Sequence, residues 1–142
     1  MSENKKGSIL AQDQAFQISE LNTTPVHNIR APHKKERTLM LLLRSPSGIT
    51  ENQVLRSVRI SNARNYFTEA ERKLGIALGR LELENPDGIG AHFKYWIASQ
   101  DDALKVANHI NKMRVRRKAE PLSISEIDYL ISQYPEVPEQ AA

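Results

Sequence analysis

The chain has 142 residues, a length typical of one domain, and 39% of them are hydrophobic while only 6% are aromatic. It holds 20 Lys and Arg against 17 Asp and Glu, a net charge of +3 that is too small to identify a partner by itself. The absence of Cys excludes a disulfide framework, a thiolate zinc site and a cysteine nucleophile. The longest apolar run, LMLLL at 39–43, is too short to span a membrane. We therefore expect a soluble, cytoplasmic protein with no membrane partner.

Residues 1–34 are expected to form a flexible N-terminal arm. The stretch NTTPVHNIRAPHKK carries two prolines and several basic residues but has no sustained hydrophobic period. Apolar residues between 9 and 21 could dock on the body of the protein or on a partner.

The segment from residue 35 predicts two helices. KERTLMLLLRS has the pattern of a buried helix, which SPSG stops. A second, short helix is expected at about 51–58, because Thr50 and Gln53 have the spacing of a capping box. Its predicted inward-facing residues are Val54, Leu55 and Val58.

A third helix is predicted after the turn RIS, with Ser61 as its N-cap and Gly75 as its end. At about 100° per residue, one narrow sector collects the apolar side chains and the opposite side collects polar ones. The apolar sector contains Ala63, Phe67, Ala70 and Leu74. This helix is therefore expected to be amphipathic.

After residue 75 the hydrophobic pattern changes from a helical period to the alternation of two β-strands, which predicts a hairpin. IALGRLELE at 76–84 and HFKYWIA at 92–98 read as two strands, joined by the turn-rich segment NPDGIGAH. Phe93, Tyr95 and Ile97 are expected on one face of the second strand. Trp96 is expected on the other, where it needs cover from a later helix or marks a partner surface.

Two more helices are expected in residues 99–135, followed by a loose tail at 136–142. Ser99 and Asp102 have the spacing of a capping box that opens a helix at about 100–117, and Ser123 with Glu126 repeats that spacing. The first of these helices ends in MRVRRK. This basic cluster is read equally well as a nucleic-acid contact or as cations favoured at a helix C-terminus.

Residues 35–98 resemble the winged helix-turn-helix superfamily. GITENQVLRSV corresponds to the positioning helix, SNARNYFTEAERKLG to the recognition helix, and LELENPDGIGAHFKYWI to the hairpin wing. The chain is also similar to small regulatory proteins carried by bacterial phages and prophages. The expected fold is thus mainly α with a β-hairpin wing, a winged helix-turn-helix plus two C-terminal helices.

The resemblance implies insertion of the third helix into the major groove of DNA, with the wing touching the adjacent backbone or the minor groove. Asn65 can pair bidentately with adenine, and Arg64 or Arg72 with guanine. The expected DNA-binding residues are Arg59, Ser61, Asn62, Arg64, Asn65, Thr68, Arg72, Lys73, His92 and Lys94. Expected DNA-backbone contacts are Arg30, Lys34, Lys35, Arg114, Arg116 and Arg117.

The leading hypothesis is sequence-specific binding of double-stranded DNA by a dimeric bacterial or phage transcriptional regulator. Its rival is a winged protein-interaction adaptor that uses Trp96 or the arm, because Glu69 and Glu71 lie on or beside the polar helix face and repel phosphates. A DNA-binding accessory factor in replication or recombination is a further alternative. No catalytic, metal-ligand or nucleotide-binding spacing occurs in the sequence, so we expect neither an enzyme nor a cofactor.

Overall fold

The computed structural model describes residues 30–138, which form five helices and three strands. The helices make up about half of these residues, so the fold is of the mixed α/β class. In chain order the elements are α1 (Lys34–Leu43), β1 (Ile49–Thr50), α2 (Glu51–Val58), α3 (Ala63–Leu74), β2 (Gly79–Glu84), β3 (Ala91–Trp96), α4 (Gln100–Arg116) and α5 (Ile124–Ile131).

The three strands form one antiparallel sheet in the order β1-β3-β2. The predicted hairpin is present, with Arg80 opposite Tyr95 and Leu83 opposite His92. The two-residue strand β1 was not expected, and its Ile49 pairs with Tyr95, so the hairpin is joined to the segment that leads into α2. Strand β2 begins three residues later than predicted, since Ile76 is buried in a loop before it.

The core lies between the helices and the inner face of the sheet. The predicted inward side chains of the second hairpin strand are confirmed: Phe93 packs against the core, and Tyr95 and Ile97, the residue directly after β3, are fully buried. The prediction for Leu55 is wrong: its side chain is 45% exposed. Central fully buried residues are Leu39, Leu42, Leu43, Val54, Phe67, Tyr95, Ile97, Val106 and Ile110.

Helix boundaries follow the predicted caps with one exception. Thr50 and Gln53 form the reciprocal capping box at the start of α2, and Gly75 ends α3 in the left-handed conformation at φ 67°. Ser61 does not cap α3. The N-cap is Asn62, whose side chain makes no capping hydrogen bond, so the first turn of α3 has no side-chain cap.

The C-terminal helices are fixed by side chains bonded to distant backbone. The buried Tyr134 hydroxyl donates to the carbonyls of Leu42 and Leu43 at 3.2 and 2.7 Å, which satisfies the C-terminal end of α1. The Asn111 amide forms a two-bond pair with Leu122, accepting from its N–H at 2.7 Å and donating to its carbonyl at 3.3 Å. This pair fixes the connection between α4 and α5.

The chain divides into two units. One contains Pro32–Val115 and the segment that begins at Glu120, and it holds all the helices and strands except the last residue of α4. Of the other unit, the structure describes Arg30, Ala31 and Arg116–Ala119. There the Arg30 N–H donates to the Arg117 carbonyl at 3.2 Å.

Candidate nucleic-acid interface

Helices α2 and α3 are joined by a tight turn whose sequence determines its path. Arg59 ends α2 in the left-handed conformation, at φ 65°, and Ile60 is buried directly after it. Helix α3 then places Phe67 on the inside, where its ring centroid lies 4.7 Å from that of Tyr95. The buried face of α3 also includes Ala63 and Ala70, as the periodicity predicts. The opposite face of α3 is therefore turned to solvent.

Three exposed polar residues form a row along that outer face, which we call the α3 stripe: Asn65, Thr68 and Arg72. Their spacing of three and four residues aligns them on one side of the helix. Within residues 30–138 their side chains make no hydrogen bond or ion pair. The predicted contact residues Ser61 and Asn62 are also exposed, just before the first turn of α3.

Arg64 borders the stripe on one side and is held by two other elements. Its Nε lies 3.6 Å from the Glu51 carboxylate of α2, and its guanidinium stacks over the Phe93 ring of β3, 5.3 Å from the centroid. The pKa of Arg64 is raised, mainly by a hydrogen bond with the Tyr95 hydroxyl and secondarily by the negative charge of Glu51. Arg64 thus joins α3 to α2 and to the sheet.

Glu69 borders the stripe on the other side and lies between two lysines. Lys35 Nζ is 3.0 Å from one of its carboxylate oxygens, and Lys73 Nζ is 3.5 Å from the other. The hydrogen bond from Lys35 is the main reason that the pKa of Glu69 is lowered. The negative charge at this position is therefore locally compensated.

Glu71 is compensated in the same way at the junction between α3 and β2. Arg80 binds it through two nitrogens, at 2.9 and 2.6 Å, and the Leu78 N–H donates to it at 2.8 Å. Arg80 is the main cause of the lowered pKa of Glu71. The two carboxylates that count against phosphate binding in the sequence are thus both paired with cations in the structure.

The hairpin cations His92 and Lys94 do not lie beside the α3 stripe. His92 and Lys94 alternate with Phe93 and so point to the sheet face opposite to the one that contacts α3. His92 Nδ1 lies 2.8 Å from Asn85 Oδ1 in the hairpin loop, and the Lys94 stem lies beside Gly48.

The expected DNA-backbone contacts are also occupied within the protein. Lys34, which is the first residue of α1 and not part of an arm, reaches the Arg59 carbonyl at 3.5 Å. Arg114 donates to the Glu120 carbonyl at 2.7 Å and lies 3.8 Å from the buried Glu36.

In the other unit, the side chains of Arg30 and Arg117 are bonded to backbone carbonyls of neighbouring arginines. The Arg30 guanidinium donates to the Arg116 carbonyl at 3.1 Å, and that of Arg117 donates to the Arg30 carbonyl at 3.0 Å. Arg30 and Arg117 are therefore engaged within the protein, whereas Arg116 contributes only its carbonyl and its side chain is exposed.

The part of the chain that the structure describes has no cluster of three or more His, Asp or Glu side chains able to hold a metal ion. His109 Nε2 is the one buried side-chain polar atom there without a hydrogen-bond partner, and burial lowers the pKa of this imidazole. None of the helices in this part is long and apolar enough to cross a bilayer.

The sequence analysis did not predict three ion pairs that hold charged side chains of α3: Glu51 with Arg64, Arg80 with Glu71, and Lys35 with Glu69. The two residues of each pair lie between 9 and 34 positions apart in the chain, and no local spacing rule relates them. No protein-family model, curated protein or solved structure matches the chain.

Proposed function

We propose that this protein binds double-stranded DNA with the α3 stripe in the major groove, in a winged helix-turn-helix arrangement. The element order supports this: a short positioning helix, a tight turn, an amphipathic helix and then a hairpin. The pairing of β1 with β3 ties the hairpin to the start of α2, which gives α3 a rigid support.

The observation that carries the proposal is that some polar side chains of α3 make contacts within the protein while those of the α3 stripe do not. Arg64, Glu69, Glu71 and Lys73 are all used in contacts within the protein. The stripe between them has no such contact, and it consists of an amide, a hydroxyl and one uncompensated guanidinium. These are the groups that read base edges.

Within this arrangement Asn65 pairs with adenine and Arg72 with guanine, and Thr68 makes a shorter contact beside them. Each bidentate pair contributes about 1–3 kcal/mol of discrimination against the wrong base. The N–H groups in the first turn of α3, which the Asn62 side chain leaves uncapped, suit a DNA phosphate. Arg64 acts mainly by holding the helix in place.

The biological role that we propose is transcriptional regulation by a homodimer that occludes a promoter or recruits partners to it, without a small-molecule cofactor. Two-fold dimers of such domains read paired half-sites about one helical turn apart. A bound sequence with two related half-sites would therefore be the expected operator.

The test is selection of preferred duplexes from a random pool, followed by fluorescence anisotropy with the selected duplex at increasing salt. Affinity should fall steeply as salt rises, because bound phosphates release counterions. Asn65→Ala and Arg72→Ala should each relax the preference at one base position. Lys105→Ala, an exposed cation on α4, is the control and should leave the base preference unchanged. Absence of salt-dependent binding at about micromolar protein would defeat the proposal.

A further inference from the structure

Strand β2 lies at the edge of the sheet and has one unpaired side. The sheet order β1-β3-β2 leaves β2 with β3 as its sole neighbour among residues 30–138. The Phe93 N–H donates to Glu51, away from β2, so the residue opposite, Glu82, also turns its backbone groups away from β3. By alternation, Arg80 and Glu84 present their N–H and carbonyl groups to the same outer side.

The two ends of this open edge are closed differently. On the α3 side, the Leu78 N–H points outward too but is occupied by Glu71. At the other end, the Asn85 N–H donates to the Gly90 carbonyl at 3.2 Å within the hairpin loop and so does not point to the outer side. The open stretch is therefore Arg80 to Glu84, long enough for a short extended segment to pair with it.

The side chains along the edge have a definite chemistry on each face. Glu82 and Glu84 are exposed on one face and have no cationic partner in the described chain. Leu81, on the other face, is 50% exposed. Beside it the Trp96 indole lies against Gly79, at the mouth of a cavity of about 560 Å³ that Pro46 and Pro135 also line. Arg80 shares the face of the two glutamates but is neutralised by Glu71, so that face has an excess of negative charge. The other face offers the Leu81 side chain and the cavity beside Trp96, with Lys94 on the neighbouring strand.

We propose that the β2 edge binds an extended peptide segment of a partner protein, in which basic side chains alternate with apolar ones. The backbone of the segment would add a fourth strand to the sheet. Its basic side chains would face Glu82 and Glu84, and its apolar side chains would cover Leu81 and reach the cavity beside Trp96. This inference does not depend on DNA binding by α3, which lies on another element.

Charge argues against a second copy of this chain as the occupant. Antiparallel pairing of two β2 strands about their centre places Glu82 opposite Glu82, and like charges directly opposite are unfavourable. The same register places Arg80 opposite Glu84, but the Arg80 guanidinium is already bound to both carboxylate oxygens of Glu71. DNA is disfavoured at the same edge because both exposed carboxylates repel phosphate.

The test uses a seven-residue peptide in which lysine alternates with valine, together with a glutamate-valine peptide and an N-methylated lysine-valine peptide. Trp96 is the sole tryptophan, so its emission reports binding directly. We expect saturable binding of the lysine-valine peptide and no binding of the glutamate-valine or the N-methylated peptide. Amide exchange at Arg80, Glu82 and Glu84 should slow, while the α3 stripe amides are unaffected.

The charge-reversed double variant Glu82→Lys, Glu84→Lys provides the control, because both positions are exposed and need not disturb the core. It should bind the lysine peptide about tenfold more weakly and should acquire binding of the glutamate peptide. The proposal is overturned by no binding up to about 1 mM peptide, by equal binding of the N-methylated peptide, or by an unchanged charge preference. Sedimentation showing a dimer that the double variant abolishes would assign the edge to a second copy instead.

Discussion

Replacing Tyr134 with Phe should destabilise the domain through the C-terminal end of α1. The buried hydroxyl lies 2.7 Å from the Leu43 carbonyl and 3.2 Å from the Leu42 carbonyl. Its removal takes away the donor of Leu43, whereas the Leu42 carbonyl still accepts from the Ser45 N–H at 3.1 Å. The ring and its packing are retained. Leaving a buried acceptor unsatisfied costs about 1–3 kcal/mol. Because one carbonyl loses its donor and the other keeps one, we expect a total loss of about 2 kcal/mol, which lowers Tm by about 5–10 °C.

The assay is urea unfolding followed by circular dichroism, with Tyr129→Phe as the matched control. Tyr129 lies on α5, five residues before Tyr134, but is 66% exposed, so the same chemical change there should alter the free energy of unfolding by less than about 0.5 kcal/mol. Burial also raises the pKa of Tyr134, so the wild-type protein should lose stability as pH rises above 10, where the unfolded chain ionises. Equal stability of the two variants would refute the reasoning.

Three further predictions concern other contacts. Glu71→Gln should lower the free energy of unfolding by about 1 kcal/mol at neutral pH. Since Arg80 lowers the pKa of Glu71, the wild-type advantage should be lost as pH falls below 4.5, and an advantage that persisted at lower pH in urea titrations would contradict this. Gly79→Ala should displace the Trp96 indole, cost about 1–3 kcal/mol and shift the tryptophan emission; an unchanged spectrum would argue against the contact. Asn111→Ala should cost about 1–2 kcal/mol in thermal unfolding through its two lost backbone bonds, and a neutral effect would show that they contribute nothing.

Elements governed by local rules could be predicted from the sequence. The capping box at Thr50 and the left-handed end at Gly75 depend on residues within one turn of each other, and both are present. The period of three to four residues in α3 was enough to separate its buried Phe67 from its exposed side.

Features that depend on distant segments could not be predicted. Strand β1 has two residues and acquires its pairing from β3, some 45 positions later, so it leaves no periodic signal. Leu55 fits the inward pattern of α2, yet within residues 30–138 no element covers that side of this short helix, and the side chain remains partly exposed. The charge of the α3 face was misjudged for the same reason, since the partner of Glu69 comes from α1 and that of Glu71 from β2.

The pairing of Glu69 with Lys35 makes the electrostatic character of α3 a property of the folded domain. A synthetic fragment covering only α2 and α3 would lack both Lys35 and Arg80. Glu71 would then have lost its cation and Glu69 would keep only Lys73. The outer face of α3 in such a fragment should attract a polyanion less strongly than the same face does in the intact protein. Any shortening of the chain that removes the first turn of α1 would therefore change the potential of a surface some thirty residues away.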